Sequence, residues 1–171
     1  MATLAAAGRP AKAKSLAPDA YERCLAVAAA LLFATIVIAL AKGQSHWIQV
    51  PPVVWAHLVT VMIALALTPV MLLRRRGDST HRLLGRVWVV AMFLTAAESF
   101  FVRSSNQGHF SFIHFISAYV VIVTPLLWWS ARSHQIGAHR RHVRGMVTGA
   151  LLIAGFFTLP FGRMLGRWLF A

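Results

Sequence analysis

One set of chemically capable residues occurs twice inside apolar sequence. The first copy runs His57, Thr68-Pro69, His81-Arg82, and the second runs His114, Thr124-Pro125, His139-Arg140. The two His-to-His intervals are 24 and 25 residues, room for a membrane helix, a turn and the start of the next helix. Ionisable side chains are expensive at membrane depth, so a repeated set of them suggests a site. Imidazole is an axial ligand of haem iron. The repeat pairs His57 with His114 toward one membrane face and His81 with His139 toward the other, each pair able to hold one haem b. His142, one helical turn beyond His139, competes as an inner ligand. Two such sites stacked across a bilayer would carry electrons through it.

Each histidine also has a plainer reading. His81 and His139 precede arginines in basic loops, where hydrogen bonding to lipid headgroups explains them as well as ligation does. His57 and His114 lie deeper and are harder to explain that way. His46, His109 and His134 read as polar interfacial residues. Glu98 is the one acid inside an apolar run, at about the depth of His57 and His114. It reads either as a hydrogen-bond partner of a ligand imidazole or proton site, or as half of an ion pair with Arg163 or Arg103. Buried charge generally has a charged partner, which favours the ion pair.

The elements that would position these residues are membrane helices. Of 171 residues, 58% are hydrophobic and 12% charged, far from a soluble average. About 20 apolar residues span a bilayer, and five runs of that kind fit: about Cys24–Ala41, Val53–Leu73, Leu83–Val102, Phe110–Ser130 and Met146–Phe170. Residues 1–20 read as a flexible basic tail, and 21–171 as one transmembrane domain with a core at 53–170. Ala39-Leu40-Ala41 resembles a signal cleavage site, but the first run is longer than a signal's apolar region, which favours a retained helix.

Thirteen basic residues, from Arg9 to Arg23, Arg74 to Arg86 and Arg132 to Arg144, fall on one side of this arrangement. Four, Lys42, Arg103, Arg163 and Arg167, fall on the other. That bias places the N-terminus in the cytoplasm. It also accounts for the net charge of +13 without nucleic acid, for which no motif is present. The basic face implies contact with anionic lipid. Trp47, Trp55, Trp128, Trp129 and Trp168 fall at run ends, as an interfacial belt would.

Other chemistry is thinly represented. A lone cysteine, Cys24, excludes an internal disulfide framework. There is no G-x-S-x-G, H-E-x-x-H or phosphate-cradling glycine loop, and four acidic residues give no carboxylate pair for hydrolysis. Pro69, Pro125 and Pro160 are expected to kink their helices. Gly145 to Gly149 and Gly162 to Gly166 each form a G-x-x-x-G that suits close helix packing.

Several stretches together resemble a family of small bacterial membrane proteins known as a domain of unknown function. They are His81-Arg82-Leu83-Leu84-Gly85-Arg86-Val87-Trp88, Gly108-His109-Phe110-Ser111-Phe112-Ile113-His114, Ala138-His139-Arg140-Arg141 and Ala154 through Arg163. The resemblance covers about residues 53–170. It departs from the expected pattern at Pro160-Phe161-Gly162-Arg163, where Pro-Gly-Arg is usual, and at His142, where an apolar residue is usual. It implies a bacterial inner-membrane protein and no activity. In arrangement alone, the two histidine pairs are similar to the ascorbate-reducible transmembrane b-type cytochromes. That likeness implies ligation by His57 with His114 and by His81 with His139.

The sequence therefore predicts an all-α membrane protein of five transmembrane helices, helices two to five forming a four-helix bundle from a duplicated two-helix unit. The expected function is electron transfer through two b-type haems to or from a quinone or another redox partner. The alternative is a non-redox accessory subunit or small transporter, in which Glu98 or His57 would mark a polar path.

Overall fold

The computed structural model describes residues 17–102, 112–160 and 162–171, all helical or in turns. Most of the expected tail, and the Arg103 to Ser111 stretch with His109, lie outside the described residues.

Helix α1 (Ala20–Lys42) begins four residues before the apolar run. Asp19 caps it: its Oδ1 accepts the Glu22 N–H at 3.0 Å, and Glu22 Oε2 accepts the Asp19 N–H at 3.2 Å. This reciprocal box satisfies two amides that a bare helix start leaves open. At the far end Gly43 donates its N–H to Ala39 at 2.9 Å. A Cβ on Gly43 would collide with the Trp168 indole, so glycine is what lets the chain pass. A 3₁₀ turn (Gln44–Gln49) then leads to Pro51-Pro52, and Pro52 starts α2 (Pro52–Leu73), where its missing N–H costs nothing.

Helix α3 (Ser79–Ser99) starts on Asp78, whose Oδ1 accepts the His81 N–H at 2.6 Å. Helix α4 spans Phe112–Arg132. Thr68 and Thr124, each just before the proline in its helix, make the same bond: the hydroxyl donates to the carbonyl four residues back at 2.7 Å. The two copies of the sequence pattern are thus treated alike at their kinks.

The fifth run is broken. Helix α5 (Ile136–Gly145) carries the basic segment, continues as a π-helix over Met146–Ile153, and finishes in the short α6 (Ala154–Phe156). The chain then turns at Thr158–Pro160 and passes Gly162 at φ 66° before α7 (Met164–Phe170). Proline lacks an amide to continue the ladder, and Gly162 adopts a backbone angle that other residues resist. Met146 to Phe170 therefore does not form one helix.

Among the described residues, three helices are long and apolar enough to cross a membrane: α1, α2 and the His114–Arg132 part of α4. Helix α3 has the length, but its first two turns, Ser-Thr-His-Arg-Leu-Leu-Gly-Arg, are polar. The outward surface is apolar, with Leu31, Ile122 and Trp129 each about two-thirds exposed (64%, 64% and 65%). Such a belt suits lipid and not water.

Helix α1 lies outside the core expected at 53–170 in sequence but not in space. It packs along α2 and also against the π-helix and α7. Ala26, Ala29 and Ala39 are fully buried in that contact, small residues that let backbones approach. Successive helices α1 to α5 are neighbours, whereas α2 makes no extensive contact with α4, nor α3 with α5, among the described residues.

Candidate functional site

Among the described residues, a cavity lies at each end of the bundle, where α2 stands apart from α4 and α3 from α5. The one at the basic end is about 550 Å³ and is lined by His81 of α3 and His139 of α5. The one at the opposite end is about 940 Å³ and is lined by His57 of α2 and His114 of α4. Both volumes suit a ligand-sized pocket. The four histidines of the repeat thus line two cavities, His81 with His139 and His57 with His114, joined by His134 in the first and His46 in the second.

The end opposite the basic one is built around His57. Its Nδ1 donates to the Thr95 carbonyl at 3.2 Å, and Ser99, 3.5 Å from the same nitrogen, donates its hydroxyl to that carbonyl at 2.8 Å. A proton held on Nδ1 leaves the Nε2 lone pair as the ligating atom, the arrangement found where a backbone carbonyl orients a metal-bound imidazole. His114 lies beside Phe100, ring centres 6.0 Å apart. Glu98 does not pair with Arg163. Its Oε2 receives the Thr60 hydroxyl at 2.7 Å, close enough to His57 for its charge to act on the ring. Arg103, the other expected partner, lies outside the described residues. Arg163 instead lines the cavity with Arg167.

At the basic end His139 lies close enough to His81 and His142 for their charges to act on it. The Nδ1 atoms of all three are buried and make no hydrogen bond. A buried polar atom without a partner is costly, and such groups call for an explanation. His142 does not line the cavity, whereas His134 does, beside His81 and His139. Among the described residues no three His, Cys, Asp or Glu side chains gather as a metal cluster. No family model, curated protein or solved structure matches this chain.

A feature that spacing did not reveal closes the basic end. Glu22 of α1 is 1% exposed and lines the cavity. It accepts from Arg76 of the α2–α3 loop, from Arg140 at 3.1 Å through both Nε and Nη2, and from Arg144 at 3.3 Å. Asp19 joins it, bonding Arg140 at 3.0 Å and also Arg144. Tyr21 adds a hydroxyl contact to Thr148 at 2.7 Å and lies under the Arg144 guanidinium. Two acids of α1 thus tie together a loop and a helix far along the chain. The Glu22 amide beside it, and then Arg144 and Arg140, hold the Asp19 carboxyl below its ordinary range against a smaller cost of burial. The signal was present in the sequence as D-x-x-E before an apolar run, a capping box. The capping box marks a helix start, and it does not reveal the three arginines.

Proposed function

We propose that the protein is an integral membrane electron carrier holding two b-type haems, one in each cavity. The observation that carries this reading is the composition of the cavities. Each is lined by one member of the repeated histidine set from the α2–α3 unit and one from the α4–α5 unit, His81 with His139 and His57 with His114, as a duplicated bis-imidazole protein requires. His134 borders the first cavity and His46 the second. The hydrogen bond that fixes His57 supports it. Bound haem supplies a one-electron couple whose potential is set by its ligands, their hydrogen bonds and burial. The chain's own part is to present Nε2 atoms, exclude water with apolar walls such as Trp88, Leu127 and Met92, and hold the macrocycles apart along the bilayer normal.

In this reading the polypeptide crosses the membrane five times, with α3 and the α5–π–α6 stretch as the less apolar passes. The duplicated unit has an axis along the normal, and the basic end with the N-terminus is cytoplasmic in a bacterial inner membrane. Anionic lipid would cover the exposed arginines, and a quinone or another redox partner would exchange electrons at one or both faces. The test is an absorption spectrum of the purified protein from cells supplied with haem precursor, oxidised and then reduced with dithionite. The expected result is a Soret band and a haem-to-protein ratio near two. Colourless protein would reject the reading and leave the accessory subunit or transporter.

A further inference from the structure

We propose that the cavity at the basic end grips the two carboxylates of its haem with Arg82, Arg86 and Arg132. The acidic edge of the macrocycle would then face the membrane surface and its apolar edge the middle of the bilayer. This rests on the dihaem reading and adds an orientation and a ligand preference to it.

Five arginines line this cavity against a single carboxylate, Glu22. They fall into two groups. Arg76 and Arg140 are bonded to Glu22, so their charge is answered within the protein. Arg82, Arg86 and Arg132 have no acidic partner among the described residues. Arg82 donates to the Gly77 carbonyl at 2.6 Å, and Arg132 lies 5.6 Å from the centre of the Trp128 ring. Arg82 and Arg86 are four residues apart on α3, as Trp128 and Arg132 are on α4, so each pair shares a helix face and both faces border the cavity.

Charge alone would satisfy the topology rule anywhere in these loops. Arg75 and Arg141 do that without lining the cavity. The three unanswered guanidiniums are exposed, while Trp88 and Leu127 are buried deeper in the same cavity. A site with cationic forks at its mouth and apolar walls below fits an amphiphile with an acidic edge. Haem is one, and guanidinium matches carboxylate two bonds at a time.

The experiment uses full-length wild-type protein and the His57→Ala/His114→Ala form, which keeps only this site, in lipid nanodiscs. Each is made free of haem and titrated with haemin and with haemin dimethyl ester, which lacks the carboxylate charges. Haemin should bind at least about tenfold more tightly than the ester, as charge-assisted hydrogen bonds imply. Arg82→Gln/Arg86→Gln/Arg132→Gln should erase the preference. The corresponding triple lysine form keeps the charge needed for insertion but not the fork, and it should retain part of the preference. Equal affinity of wild-type protein for the two compounds would overturn the orientation while leaving the dihaem reading standing. Persistence of the preference in the glutamine form would also overturn it. Failure of both compounds to bind would reject the dihaem reading itself, and this inference with it.

Discussion

The residue that most constrains the chemistry of this bundle is Glu22, which the histidine pattern does not mention. A carboxylate 1% exposed and bonded by three arginines is tolerable only as a complete set. Removing one partner of a buried charge group costs more than the group contributed, about 3–5 kcal/mol where measured. Glu22→Gln should therefore destabilise the protein by about 3 kcal/mol or more, read as a lower unfolding midpoint in detergent, with the loss concentrated in α1 and the α2–α3 loop. An unchanged midpoint would mean that water or lipid already neutralises Arg76, Arg140 and Arg144. Asp19 adds a pH dependence. Its carboxyl is held below the ordinary range in the folded protein, so its contribution is complete above that range and is lost as pH falls through the depressed value. Amide exchange at the start of α1 should accelerate there before the rest of the bundle opens. His57 and His114 were legible because imidazole is conspicuous at membrane depth, and His81 and His139 because they repeat at nearly the same interval. The clasp was not, because its members are 54 to 122 residues apart in sequence and look like ordinary loop charge.

At the scale of the element, hydropathy located the three helices that are long and apolar enough to span among the described residues, but not every boundary. Helix α1 starts at Ala20 and not Cys24, and α3 at Ser79 and not Leu83, because Asp19 and Asp78 extend them with caps. The run at Met146–Phe170 splits because Pro160 and Gly162 interrupt it, and hydropathy averages over such a break. The repeat begins only at α2 and so put α1 outside the core, although contacts with the π-helix and α7 make it a wall of the bundle. The join between α1 and α7 is tight. A Cβ on Gly43 would enter the Trp168 ring, and one on Gly166 would overlap the Leu159 backbone. Lys42 also reaches across, donating to the Leu169 carbonyl at 2.7 Å. Gly166→Ala meets backbone that cannot swing aside, so it should unseat α7 and move the emission of buried Trp168 toward that of an exposed indole. Gly149→Ala, where an added Cβ meets nothing within 4 Å, should leave that emission unchanged. Equal spectra for the two variants would show that α7 adapts more freely than its packing implies.

For the whole molecule, the two cavities acquire meaning only if they lie in series across the membrane. Their linings share no residue, and they occupy opposite ends of the same helices. From His57 to the far end of α2 at Leu73 is 16 residues, about 24 Å at 1.5 Å per residue, so one cavity alone leaves most of the hydrocarbon uncrossed. The two histidine pairs should consequently be independent in binding and jointly required in transport. His57→Ala should lower the haem-to-protein ratio from about two to about one while the inner pair keeps its spectrum. Stability should be largely preserved, since helix packing and not cofactor holds the bundle. In sealed vesicles containing ferricyanide, an external reductant that cannot cross the bilayer should drain electrons inward through wild-type protein. On the dihaem reading, His57→Ala and His81→Ala should each abolish that flux, although each variant would still carry one reducible haem. Flux that survives loss of either pair would mean the haems do not act in series, and the duplicated histidines would then need a different explanation.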